Sequence, residues 1–129
     1  MVTDTQGLQG YYERINDVKQ YIGEHIDERL NREVLAAVAG FSVPHFHRIF
    51  TAYVGETIAS YVRRVRMERA GRKLRMGAVD ITEVALAAGY DTHAAFSKAF
   101  KQQFGLSPSE FRQLNCNAAT QILMKGKSL

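Results

Sequence analysis

The chain has 129 residues, enough for one ordinary domain or two very small ones, and 46% of them are hydrophobic, which excludes a largely disordered protein. No apolar run approaches the roughly 20 residues needed to cross a bilayer, and no charged stretch followed by an apolar one marks a secretory signal. The single cysteine, Cys116, can close no internal disulfide and completes no zinc-ligand spacing, which fits a reducing cytoplasm. Net charge is only +4, but it is concentrated. Residues 61–76 hold Arg63, Arg64, Arg66, Arg69, Arg72, Lys73 and Arg75 against Glu68 alone, while the rest of the chain is slightly acidic. Such a stripe is the electrostatic footprint expected for a polyanion, and a solvated helix face gives the same pattern.

Residues 1–10 are polar, contain glycine and show no period, so they read as a flexible leader. From residue 11 onward, Tyr12, Ile15, Val18, Ile22 and Ile26 recur every three or four positions, which predicts an amphipathic helix. Asn31 offers an N-cap to a short helix carrying Val34, Leu35 and Val38, and Gly40 stops it. Ser42 caps the next helix, with Pro44 in its first turn and Phe46, Ile49, Phe50 and Tyr53 as its buried stripe up to Gly55. A longer helix is expected over 57–76, with Ile58, Tyr61, Val62, Val65 and Leu74 apolar among the basic residues. Gly71 inside it is a mild weakness, roughly 1 kcal/mol against alanine.

Residues 77–80 form the break. Asp80 and Glu83 have capping-box spacing for a helix burying Ile81, Val84, Ala85 and Ala88, and Gly89 makes the turn that follows. Asp91 or Thr92 caps a helix with Phe96, Ala99 and Phe100. Ser107, Pro108 and Glu110 spell a cleaner box before a last helix through Phe111 and Leu114. Residues 115–129 are polar and without period, and read as a tail or linker. No segment alternates as a strand does, so the expected class is all-α.

Two stretches of the chain repeat one another. Phe46, Arg48, Phe50, Val54, Gly55, Thr57 and Tyr61 match Phe96, Lys98, Phe100, Phe104, Gly105, Ser107 and Phe111, each fifty residues on. Upstream, Ala36, Ala39, Gly40 and Phe41 match Ala85, Ala88, Gly89 and Tyr90 at an offset of forty-nine. A glycine followed by an aromatic residue between two apolar helical patterns signals a helix-turn-helix, here present twice.

The second helix of such a unit buries one face on its partner and offers the other to the major groove. With Phe46, Ile49, Phe50 and Tyr53 facing inward, Pro44, His47, Arg48 and Thr51 face outward. In the second unit the outward set is His93, Ala94, Ser97, Lys98 and Lys101. Arg48 has the fork geometry for guanine O6 and N7, and Lys98 stands at the matching position. Arg63, Arg64 and Arg66 open the basic helix, and with Lys101 they are expected at phosphates, where they add affinity without sequence information. A helix over 57–76 is roughly 30 Å long, close to the roughly 34 Å between major-groove entries on one face of DNA. One chain can therefore carry two readers on an asymmetric site, as a monomer. Competing sites are poor: His45 and His47 point to different sides of a helix, and no nucleophile elbow or phosphate-cradling glycine loop occurs. No metal, cofactor or catalytic role is expected. A helical protein-interaction module without specific DNA binding is the alternative, kept open by Pro44 and the small Ala94.

The segment from Tyr11 to Gln113 resembles the DNA-binding domain of AraC/XylS-type transcriptional regulators. The resemblance rests on Ile81, Val84, Ala85, Gly89, Tyr90, Phe96, Lys98, Phe100, Lys101, Phe104, Gly105, Ser107, Pro108, Phe111 and Arg112 in their spacing. It implies a homeodomain-like, all-α fold of seven helices: a first subdomain over 11–56, a linker helix over 57–76 and a second subdomain over 77–114. It implies a bacterial, cytoplasmic, nucleoid-associated protein that binds double-stranded promoter DNA and activates transcription through RNA polymerase. By position it marks Pro44, His47 and Arg48 in the first reading helix, His93, Ala94, Ser97 and Lys98 in the second, and Arg63 at the backbone. Pro44 and Ala94 stand where relatives often carry larger base-reading side chains. The chain is similar either to the small stand-alone stress activators of this family or to the N-terminal module of a regulator whose effector domain follows.

Overall fold

The computed structural model describes residues 2–76 and 80–125. Among them lie eight helices: α1 (Val2–Glu24), α2 (Arg32–Ala39), α3 (Val43–Val54), α4 (Ile58–Leu74), α5 (Ile81–Ala87), α6 (His93–Phe104), α7 (Pro108–Arg112) and α8 (Cys116–Lys125). No strand occurs among the described residues, in keeping with the all-α expectation. The chain divides into two compact units, Met1–Arg63 and Arg64–Leu129. The helix expected to be a separate linker is thus shared, its first turns belonging to one unit and its remainder to the other. Of the expected break at 77–80, residues 77–79 lie outside the described residues, as do residues 126–129 of the tail.

In the first unit, α1, α2 and α3 pack on one another. Ile15, Val18, Ile22 and Ile26 of α1 are buried with Leu35, Ala36 and Ala39 of α2, Phe46 and Phe50 of α3, and Ile58 and Val62 of α4. The Phe50 and Tyr61 rings meet edge-on, 5.4 Å between centroids. The Asn31 side chain accepts from the Val34 N–H at 2.8 Å and Ser42 Oγ from the His45 N–H at 3.4 Å, each satisfying a donor that a helix start leaves open. Gly40 adopts φ 76° at the end of α2, and Gly89 adopts φ 94° in the matching turn of the second unit. These left-handed conformations cost an L side chain free energy, so the two glycines define the turns of the two helix-turn-helix units.

Three expectations for this unit are corrected. The leader 1–10 is helical from Val2, because extending a formed helix adds one bond per ordered residue with no new nucleation. Tyr12 is 55% exposed; Tyr11, four residues before Ile15, packs instead, its ring 5.3 Å from that of Phe41. Tyr53, in the last turn of α3, is exposed, as are Val34 and Val38 of α2. What α2 buries besides Leu35 is the repeated alanine pair, whose small size lets helices approach closely.

In the second unit the core comprises Met67, Ala70 and Leu74 of α4, Val84, Ala85 and Ala88, Phe96, Phe100 and Phe104 of α6, Phe111, and Ala119 of α8. Its centre is a run of aromatic rings. Phe100 lies 5.7 Å from Phe96, 4.7 Å from Phe104 and 5.4 Å from Phe111, all tilted or edge-on, the geometry that the ring quadrupole favours. Thr92, rather than Asp91, caps α6 through the Ala95 N–H. Asp80 caps α5 by accepting from the Thr82 N–H, the second helical residue, and not from the Glu83 N–H as the expected box requires. The box at Ser107 is complete: Ser107 Oγ accepts from the Glu110 N–H at 3.2 Å and Glu110 Oε1 from the Ser107 N–H at 2.9 Å.

The segment expected to be a tail forms α8, which makes eight helices instead of seven. Asn115 caps it by accepting from the Ala118 N–H at 2.8 Å. Ala119 is buried, and Ile122 and Leu123 pack against the core, an i, i+3, i+4 stripe on one face of the helix. Gly71 of α4 faces this stripe. A Cβ built there would lie 2.8 Å from Leu123 Cδ2, so the missing side chain, a weakness for an isolated helix, makes room for α8.

Candidate nucleic-acid interface

The two reading helices are built alike. In α3 the buried Phe46 and Phe50 fix the inward side, leaving Pro44, His47 and Arg48 exposed. In α6 the buried Phe96 and Phe100 do the same for His93, Ala94, Lys98 and Lys101, with Ser97 half-buried. Pro44 sits in the first turn of α3, where its missing N–H breaks no helical bond. Arg48 and Lys98, fifty residues apart, thus both stand on solvent-facing sides of the second helix of a helix-turn-helix.

Thr51 does not join that face. It is half-buried, and its hydroxyl oxygen is enclosed with no hydrogen-bond partner. The matching Lys101 is exposed. The contrast follows from reach: a hydroxyl on Cβ stays level with its neighbours, whereas a lysine carries its charge past them on a four-carbon stem.

The basic stripe is likewise thinner than the sequence suggests. Arg63 is exposed, as a phosphate contact requires. Arg64 is only 9% exposed and Glu68 7%, and Arg64 Nη1 donates to Glu68 Oε2 at 2.8 Å. This internal pair withdraws Arg64 from the set expected at phosphates. Removing one partner of such a pair leaves a buried charge and costs on the order of 3–5 kcal/mol, which is reason enough for the arginine. Arg66 is half-buried. Arg75 Nη1 donates to the carbonyls of Phe111 at 3.1 Å and Arg112 at 3.2 Å, with its guanidinium 5.9 Å from the centre of the Phe111 ring. It gives the Arg112 carbonyl a donor at the end of α7 and joins the Leu114 N–H on the Phe111 carbonyl. Of seven basic residues, two therefore serve the packing of the second unit.

The turn before α3 carries a cluster that local sequence reading missed. The Phe41 ring is met edge-on by Tyr11 at 5.3 Å and by the tilted His45 ring at 4.8 Å, and the Arg14 guanidinium carbon stands 5.1 Å from its centre. Periodicity places Tyr11 and Arg14 on a helix without saying what that helix faces. The one hint was the aromatic residue repeated after each turn glycine. Among the described residues no three His, Cys, Asp or Glu side chains are grouped to hold a metal ion, and no helix is long and apolar enough to cross a membrane. Cys116 is a free, exposed thiol at the start of α8.

Comparison with known proteins agrees with this architecture. Residues 35–114 match the family described as "Helix-turn-helix domain". The chain is 35% identical over 98 residues to the regulatory protein SoxS of Escherichia coli K12, covering 76% of this chain and 92% of that one. An AraC-type transcriptional regulator from Chromobacterium violaceum superposes with a TM-score of 0.74 at 25% identity, covering 81% of this chain and 93% of its own. The DNA-binding domain of AdpA, a global transcriptional factor solved in complex with a target DNA, superposes with a TM-score of 0.67 at 30% identity, over 76% and 88%. With the doubled helix-turn-helix and its paired reading faces, these likenesses establish that the chain belongs to the AraC/XylS family of transcriptional regulators.

Proposed function

We propose that this regulator reads duplex DNA by inserting α3 and α6 into adjacent major grooves of one asymmetric promoter site. The observation that carries the reading is the pair of exposed faces, Pro44, His47 and Arg48 on α3 and His93, Ala94 and Lys98 on α6, each opposite two buried phenylalanines. Arg48 can donate two parallel hydrogen bonds to guanine O6 and N7. Lys98 supplies a single flexible ammonium, and Ala94 at most a methyl contact to thymine. Ser97, half-buried, contributes a short hydroxyl at the edge of the same face. Arg63, Arg66 and Lys101 are the phosphate contacts retained. Because the two faces differ and share one chain, a monomer suffices and the site need not be palindromic. Activation through RNA polymerase, on the nucleoid in a bacterial cytoplasm, is what the family resemblance supports.

Selection from a random duplex library tests this reading: an enriched, non-palindromic motif about two helical turns long is expected. On that motif Arg48→Ala should cost about 1–3 kcal/mol and relax one base position. Arg63→Ala should weaken selected and random duplexes alike and lower the salt slope by about one unit. Equal loss on both duplexes for Arg48→Ala removes its base-reading role. A selection that enriches nothing at low salt favours a protein-interaction module instead.

A further inference from the structure

Arg14 is held at the turn of the first unit in a way its own helix does not explain. Its guanidinium carbon lies 5.1 Å from the centre of the Phe41 ring. An Nη1 atom stands 3.9 Å from where a Cβ on Gly40 would be, so the charged group lies over the turn itself. Tyr11 and His45 pack against the same ring from other directions, at 5.3 Å and 4.8 Å, and limit how far Phe41 can swing. Arg14 is exposed, and among the described residues it forms no recorded ion pair, although Asp17 follows at i+3. A guanidinium lying on an aromatic face keeps its N–H groups, which radiate in its own plane, open to a second partner. That arrangement pre-orients a fork for a planar or tetrahedral oxyanion.

The place of this fork matters. Ser42, which starts α3, follows Phe41 directly, and the first residues of a reading helix are those that contact base edges. Groups just ahead of them face the phosphates that flank the groove. The geometry points to Arg14 as an additional DNA phosphate contact of the first unit, braced by Phe41, Tyr11 and His45. It lies on α1, outside the residues 35–114 of the family match. The inference rests on the DNA-binding reading above and extends it to a helix that reads no bases. A purely structural alternative is a cap over the Phe41 ring, which predicts a change in stability and none in salt dependence.

The test is a salt titration of binding by fluorescence anisotropy, on a selected duplex and a random one, with the wild type, Arg14→Gln and Arg14→Lys. One lost phosphate contact makes the log–log salt slope shallower by about 0.9, which at 0.1 M salt is about an eight-fold weaker binding. Arg14→Gln should show that shift on both duplexes alike, with its melting temperature close to wild type. Arg14→Lys keeps the charge and should restore most of the slope. An unchanged slope in Arg14→Gln overturns the inference, whether or not affinity falls, and so does a loss confined to the selected duplex. A wild type that shows no salt-dependent binding to any duplex sinks the DNA-binding reading itself and this inference with it.

Discussion

Gly71 and Leu123 offer a quantitative test of how α8 is held. A Cβ on Gly71 would stand 2.8 Å from Leu123 Cδ2, but 3.5 Å from Phe111 Cε2 and 3.7 Å from Phe100 Cε2. The rings are at ordinary contact distance, so of these three neighbours Leu123 alone obstructs an alanine. Gly71→Ala then brings two opposed effects. Helix propensity and the lost freedom of the unfolded chain favour it by about 1 kcal/mol. Overpacking against Leu123 opposes it by about 1–3 kcal/mol. The net is a loss of about 0–2 kcal/mol. Leu123→Ala by itself removes a half-buried side chain and should cost about 1–2 kcal/mol, less than a fully buried leucine. In the double variant the obstruction is gone, so Gly71→Ala becomes stabilising by about 1 kcal/mol. The coupling between the two sites is therefore about 1–3 kcal/mol, read from urea unfolding of the four proteins by far-UV circular dichroism. If Gly71→Ala stabilises equally with and without Leu123, α8 is not packed on α4 and the reasoning fails.

Two further outcomes are expected. Thr51→Val replaces an enclosed, unpartnered hydroxyl by a methyl group, and should raise stability by about 1 kcal/mol with no change in DNA affinity. A fall in affinity in a binding titration would return Thr51 to the reading face. The Glu110 carboxyl is held below its ordinary pKa of 4.5 by the Ser107 N–H first, then by the Ser107 side chain and the charge of Lys101. A depressed pKa means that the folded state prefers the carboxylate. Its contribution is complete above the ordinary value and is lost as pH falls through the depressed one. The melting-temperature difference between wild type and Glu110→Gln should accordingly be present at neutral pH and shrink in acid; a difference independent of pH would show that the charge plays no part.

How much could be read in advance differs from element to element. The caps Asn31, Ser42, Thr92 and Ser107 are local signals, and each is found where its spacing places it. The phenylalanine pairs of α3 and α6 were legible for the same reason, since a buried stripe is a property of one helix. Residues 115–125 hid their helix because the stripe of Ala119, Ile122 and Leu123 is short and weakly apolar, and acquires meaning only against Gly71 and the Phe100 and Phe111 rings. Tyr11 and Tyr12 are adjacent and equally aromatic, and the position of Phe41 selects between them.

The sequence by itself determined an all-helical chain, the two glycine turns and the sides of α3 and α6 that remain outside. These depend on backbone conformation, capping and a 3.6-residue period, all set within a few residues. Tertiary structure decided which of the charged residues are left for a partner. Arg64 is buried with Glu68, Arg75 holds carbonyls thirty-six and thirty-seven residues away, and Arg14 is brought to the turn at Phe41. A charge shows its sign in the sequence, but its availability depends on burial and on acceptors supplied from elsewhere in the fold.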